Sequence, residues 1–132
     1  MPKELMWLTW TVVLTCVLWI PYILDRIQVR GLHGAMANPS PADKPQSAWA
    51  QRMMAAHTNA IENLAVFAPL VLILDALNIS TPATATACAA FFWARLVHAI
   101  VYTIGIPVAR TLAFAVGFVA IVVLILTIFG VV

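Results

Sequence analysis

The sequence predicts an all-α integral membrane protein, a bundle of four spanning helices that forms one unit over residues 1–132, and three observations carry this. First, 64% of the residues are hydrophobic, 9% are charged and the mean hydropathy is +1.00. A water-soluble chain of this length cannot hide so much apolar surface, because small folds leave a large share of their surface in solvent. Second, the apolar residues fall into four long runs, 5–24, 49–77, 84–104 and 108–131, each near the ~20 residues that cross a hydrocarbon core ~30 Å thick. Third, these runs are continuous, whereas a membrane barrel would show alternating segments of ~10 residues.

The first run is too long, and too poor in a small-residue cleavage site, for a removable signal peptide. Pro21 within it predicts a bend, since proline removes one ladder hydrogen bond and crowds the preceding turn. Asn38-Pro39-Ser40-Pro41 marks a long first loop. The second run holds Pro69, a second predicted bend that bundle neighbours can accommodate, and stops at Asn78-Ile79-Ser80-Thr81-Pro82. The third opens on an Ala/Thr-rich stretch, 83–90, of the kind that lets membrane helices approach closely. It ends at Gly105-Ile106-Pro107, after which the fourth run begins. The second and third connections are short, so the helices they join are antiparallel neighbours.

Charge sets an expected orientation. Arg26, Arg30, Lys44 and Arg52 belong to the first loop or its edges, and Arg110 opens the fourth helix. The second loop has no basic residue. The positive-inside tendency then places the first and third loops in the cytoplasm and both termini on the opposite side, with Lys3 alone arguing otherwise. A net charge of +2 without a basic, aromatic-interleaved stripe excludes a nucleic-acid partner. Cys16 and Cys88 lie deep in predicted helices without Cys-x-x-Cys spacing and read as small packing residues. Three histidines on separate segments, His33 among them, lack metal-ligand spacing, and no Gly-rich phosphate loop is present.

Ionisable groups within a spanning helix cost roughly 2.5–3.5 kcal/mol each at the bilayer centre, so they turn toward a bundle interior and carry function. The second helix holds Arg52, His57, Asn59, Glu62 and Asn63; the third holds Arg95, His98 and Tyr102; the fourth begins near Arg110. Residues three, four or seven apart share a helix face. Arg52, Asn59 and Asn63 therefore form one stripe with Glu62 at its border, while His57 points elsewhere, as a packing residue does. Arg95, His98 and Tyr102 form a second stripe. At ~1.5 Å per residue Asn59 lies ~15 Å beyond Trp49 and Arg95 ~14 Å before Ile104, so the stripes meet at one depth.

These groups have three readings. They can satisfy one another, Glu62 pairing with Arg95 or Arg52 and the asparagines joining helices. But three arginines against one carboxylate leave positive charge over, and surplus buried guanidinium asks for an anionic guest bearing a carboxylate or thiolate. A proton or ion path through Glu62 and His98 rests on a single carboxylate and is the weakest of the readings.

Two segments resemble the MAPEG family, membrane-associated proteins in eicosanoid and glutathione metabolism. They are Arg52-Met53-Met54-Ala55-Ala56-His57-Thr58-Asn59-Ala60-Ile61-Glu62-Asn63 and Arg95-Leu96-Val97-His98-Ala99-Ile100-Val101-Tyr102 running on to Pro107-Val108-Ala109-Arg110-Thr111. The resemblance extends to chain length and the four-helix layout, and implies a bacterial-type member of the inner membrane. It implies a homotrimer among membrane lipids, holding glutathione as co-substrate between subunits near the cytoplasmic side. Asn59 and Glu62 then hold the tripeptide's polar backbone and amino group, with Arg52 on the same stripe. Arg95, His98 and Tyr102 are third-helix contacts, Arg30 meets a carboxylate, and Arg110 is catalytic, stabilising the thiolate. Two positions depart from the family pattern. Ala55 stands where glutathione-using members carry an arginine, and Phe114 where a tyrosine is often found.

The expected activity is a glutathione transferase or peroxidase acting on small lipophilic electrophiles or hydroperoxides from the bilayer. The alternative is a non-catalytic relative that binds a lipid, another anionic ligand or a partner protein.

Overall fold

The computed structural model describes Met1–Val132. It contains five helical segments and no strand: α1 (Lys3–Val17), α2 (Trp19–Met36), α3 (Ala48–Ala76), α4 (Pro82–Ile104) and α5 (Pro107–Ile128). α1 and α2 run on from one another through Leu18, which keeps right-handed helical torsions. The pair therefore makes one crossing, and four helices have the length and composition to span a membrane.

The first crossing is longer than its apolar run predicts, reaching Met36 instead of residue 24. Its polar extension is held by the loop that follows. Asp25 is buried and accepts hydrogen bonds from the Ser47 amide and hydroxyl and from Gln46 Nε2, while Gln46 Oε1 accepts from Arg26 Nε at 3.0 Å. Helical backbone is thus stabilised here by side-chain partners in place of apolar burial. The helical hydrogen-bond pattern is interrupted at Leu18, three residues before Pro21, where the torsions stay helical. A sharper break comes at Gly31 (φ +73, ψ 164), a torsion pair that glycine adopts freely.

α3 is crossed by Pro69 without losing its helical assignment. The turn into α4 is closed by a capping box: the Thr81 hydroxyl accepts from the Thr84 amide and the Thr84 hydroxyl accepts from the Thr81 amide, which satisfies two amides that would otherwise be orphaned. Glu4, in the first turn of α1, reaches the same corner. It is buried and accepts from the Ser80 and Thr84 hydroxyls, fastening α1 to the start of α4. The α4–α5 turn uses Gly105 at φ +88, whose amide bonds back to the Val101 and Tyr102 carbonyls while the Ile106 amide bonds to Val101. These are the bonds of a glycine helix stop, and Pro107 then starts α5 where a missing N–H costs nothing.

The main core joins α1, α3, α4 and α5 through Leu8, Phe67, Val71, Leu74, Phe91 and Leu124, with Phe67 and Phe91 stacked at 3.9 Å. Cys88 is fully buried there, whereas Cys16 lies exposed on the surface of α1. Only 27 of 132 residues are buried, and Trp10, Phe118 and Val119 are each more than half exposed. Such a surface has no place in water and suits lipid or further protein.

Candidate functional site

α3 and α4 run antiparallel, so stripes placed on each by helical spacing face one another at matched depth. Asn59 of α3 accepts a hydrogen bond from Arg95 Nη2 of α4 at 2.6 Å. One turn on, the same Nη2 lies 3.4 Å from His98 Nδ1. A guanidinium has only donors, so Nδ1 accepts and the His98 ring proton sits on Nε2. Arg95 is 3% exposed and its Nε has no partner within the chain, a buried donor of the kind native folds seldom leave unused. His98 is equally buried and meets Tyr102 edge-to-face at 5.5 Å. Arg110, from the first turn of α5, lies over the opposite part of this stack, its Cζ 4.3 Å from the Tyr102 ring centroid.

Asn59, His98, Tyr102, Arg110, Thr111 and Phe114 together line a hollow of about 260 Å³. Arg95 stands immediately behind it, bound to two of its walls. The chain's one ion pair, Arg30 with Asp43 at 3.7 Å, lies elsewhere. Neither Arg95 nor Arg110 has a carboxylate partner, so the hollow is positive and unneutralised. What it can do chemically is bind an anion, orient it by Asn59 and Tyr102, and hold a guanidinium beside a developing or resident negative charge.

The other predicted site residues are placed differently. Arg52 donates from Nε to the Thr103 carbonyl at 3.0 Å and is not among the residues lining the hollow. Arg30 donates to the Lys44 carbonyl at 2.8 Å, on the first-loop side. Glu62 is exposed and pairs with neither Arg95 nor Arg52 within the chain, so mutual neutralisation is not how these arginines are held. Thr111 donates its hydroxyl to the Pro107 carbonyl, which leaves it facing the hollow as an acceptor. His57 forms a clasp on the far side of α3. Its Nε2 donates to the Thr15 carbonyl at 2.9 Å and its Nδ1 accepts from Tyr22 Oη at 2.7 Å, which ties the first crossing to α3.

The sequence model of the MAPEG family matches residues 5–130. The chain belongs to the MAPEG family. No curated protein and no solved structure matches it, so membership rests on this family-wide pattern over nearly the whole chain. The MAPEG assignment agrees with the four spanning-capable helices and with an integral membrane protein in contact with lipid. Membership accommodates both glutathione-dependent enzymes and non-catalytic proteins, and the choice between them turns on the hollow. The polar groups that line it are one guanidinium, an amide, an imidazole, a phenol and a hydroxyl, with a second guanidinium behind them.

Proposed function

We propose that this MAPEG protein is a membrane-bound glutathione transferase or peroxidase for lipophilic electrophiles or hydroperoxides. The observation that carries the reading is a hollow lined by Arg110 and by no acidic residue, with Arg95 bonded to two of its walls from behind. Arg110 is the catalytic residue: a cation close to the sulfur favours the thiolate, and the thiolate is the nucleophile. Asn59, His98 and Tyr102 position the tripeptide, and Arg95 supplies the positive charge behind them. Thr111 is not a donor to sulfur in this arrangement, since its hydroxyl proton is committed to Pro107.

The assembled form in this proposal is a homotrimer, with the first loop cytoplasmic and the site near that face. Glu62 supports assembly. An exposed carboxylate on a spanning helix is costly against lipid, and a neighbouring copy at this face of α3 would shelter it and bring it to the tripeptide's amino group. Arg30 reaches the ligand in this reading only if it leaves Asp43 and the Lys44 carbonyl.

The decisive measurement is conjugation of a chlorinated nitroaromatic to glutathione by the purified protein. Arg110→Ala is expected to lose rate by about ten- to a hundredfold, the worth of a charged hydrogen bond; unchanged rate removes the mechanism. A second reading, a non-catalytic protein that binds a lipid or another anion, is favoured by Ala55 and Phe114, which supply neither a guanidinium nor a hydroxyl to the site. Thermal stability in detergent separates the two, because millimolar glutathione raises the unfolding temperature only if it binds the native state.

A further inference from the structure

Arg52 shares the α3 stripe of Asn59 but does another job. Helix α4 ends at Ile104, and the last carbonyls of any helix lack intrahelical donors. Those of Val101 and Tyr102 are taken by the Gly105 and Ile106 amides. The carbonyl of Thr103 is taken by Arg52 Nε, 3.0 Å away on a different helix. The guanidinium also lies close to the turn itself. A Cβ built on Gly105 would stand 3.4 Å from Arg52 Nε and 3.5 Å from Cζ, ordinary van der Waals contact, so the guanidinium packs against the turn while glycine is required here by its φ of +88. A cation at this place meets the negative end of the α4 dipole, which adds attraction to the hydrogen bond.

Two consequences follow for the hollow. First, α3 grips α4 at two levels, by Asn59 on Arg95 and by Arg52 on Thr103. The grips are seven residues apart on α3 and eight apart on α4, about 10–12 Å on each helix, so together they fix both register and tilt. Second, the turn that Arg52 covers leads directly to Arg110, whose own amide bonds to the Ile106 carbonyl at 3.2 Å. Tyr102 lies on one side of this turn and Arg110 on the other.

We infer that Arg52 is a positioning residue: it clamps the Gly105 turn from α3 and thereby holds Arg110 over Tyr102, without itself touching the ligand. The inference builds on the proposed glutathione chemistry for its kinetic consequence, while the clamp itself is testable with no ligand present.

The experiment compares wild type, Arg52→Gln and Arg52→Lys as whole protein in detergent. Without ligand, backbone hydrogen exchange is followed at Gly105 and Ile106. Arg52→Gln is expected to speed both amides by about tenfold or more while those of the α1–α3 core stay unchanged, the pattern of a local opening. Arg52→Lys, which keeps the charge and a donor, should recover part of the protection. In the conjugation assay, Arg52→Gln is expected to lower kcat by about tenfold with the KM for glutathione within about twofold, because a misplaced Arg110 acts on the reacting sulfur and not on peptide binding. Unchanged exchange at the turn overturns the clamp. So does a raised KM at constant kcat, which would make Arg52 a ligand contact. If wild type shows no conjugation, the enzymatic proposal fails and the exchange data alone decide the clamp.

Discussion

Arg110 sits over the face of Tyr102, its Cζ 4.3 Å from the ring centroid, although the two residues belong to different helices. A guanidinium so placed is attracted to the negative face of the ring, and no carboxylate competes for it. The positive charge is held in place without being cancelled.

Replacing the ring should therefore free the cation. Tyr102→Leu is expected to reduce glutathione conjugation by about five- to thirtyfold, matching a cation–π contact of ~1–2 kcal/mol between partly buried groups. Tyr102→Phe keeps the ring face and should stay within about threefold of wild type if the contact is the ring's main role. Full activity in Tyr102→Leu would show that Arg110 needs no support from below.

Asn59 supports Arg95 in a different way, by accepting at 2.6 Å from a guanidinium that is 97% removed from solvent. Asn59→Leu takes away that acceptor and is expected to lower stability by ~1.5–3 kcal/mol, read as a drop in unfolding temperature. Adding Arg95→Met to the same chain should give back part of the loss, because the stranded charge goes with it. Strict additivity of the two changes would mean that the pair is not coupled.

At the other end of the bundle, Glu4 accepts from Ser80 and Thr84. Glu4→Ala should cost ~1–3 kcal/mol by leaving two hydroxyl donors without their acceptor, and Glu4→Gln less, since one carbonyl oxygen remains. Glutathione affinity should not move in either variant, as none of these residues lines the hollow. An affinity change equal to that of Asn59→Leu would contradict this separation.

Glu62 tests the assembly. Glu62→Lys puts a cation on the exposed face of α3 in place of a carboxylate, and native mass spectrometry in detergent should then record single chains where wild type gives the proposed trimer. A trimer that survives with unchanged stability would place the contact between copies on another face.

The fold was open to sequence reading because lipid as solvent simplifies it. Continuous apolar runs leave few alternatives to helices, and the Asn78–Pro82 and Gly105–Pro107 signals sit where α4 and α5 begin. The meeting of Asn59 and Arg95 was likewise legible, because spacing alone gives their faces and depth, and the contact at 2.6 Å lies where those two numbers cross. Contacts that depend on a loop path or a backbone carbonyl were not. Nothing in the local pattern announces that Asp25 is buried by Ser47 and Gln46, which is why the first crossing runs past residue 24. The Thr103 carbonyl that claims Arg52 is equally silent in a string of side chains. Glu4 looks like an ordinary acidic residue of a first helical turn until α4 is brought beside it.

The turn between α4 and α5 closes on its own backbone: Gly105 and Ile106 return to Val101 and Tyr102, and Pro107 starts the next helix at once. Arginine and tyrosine are thereby carried by one short contiguous stretch of chain. Such a stretch is portable between homologous scaffolds, and exchanging residues 95–111 as a cassette should transfer the cationic corner whole, leaving only a partner for Arg95 and a cover for Gly105 to be found in the recipient.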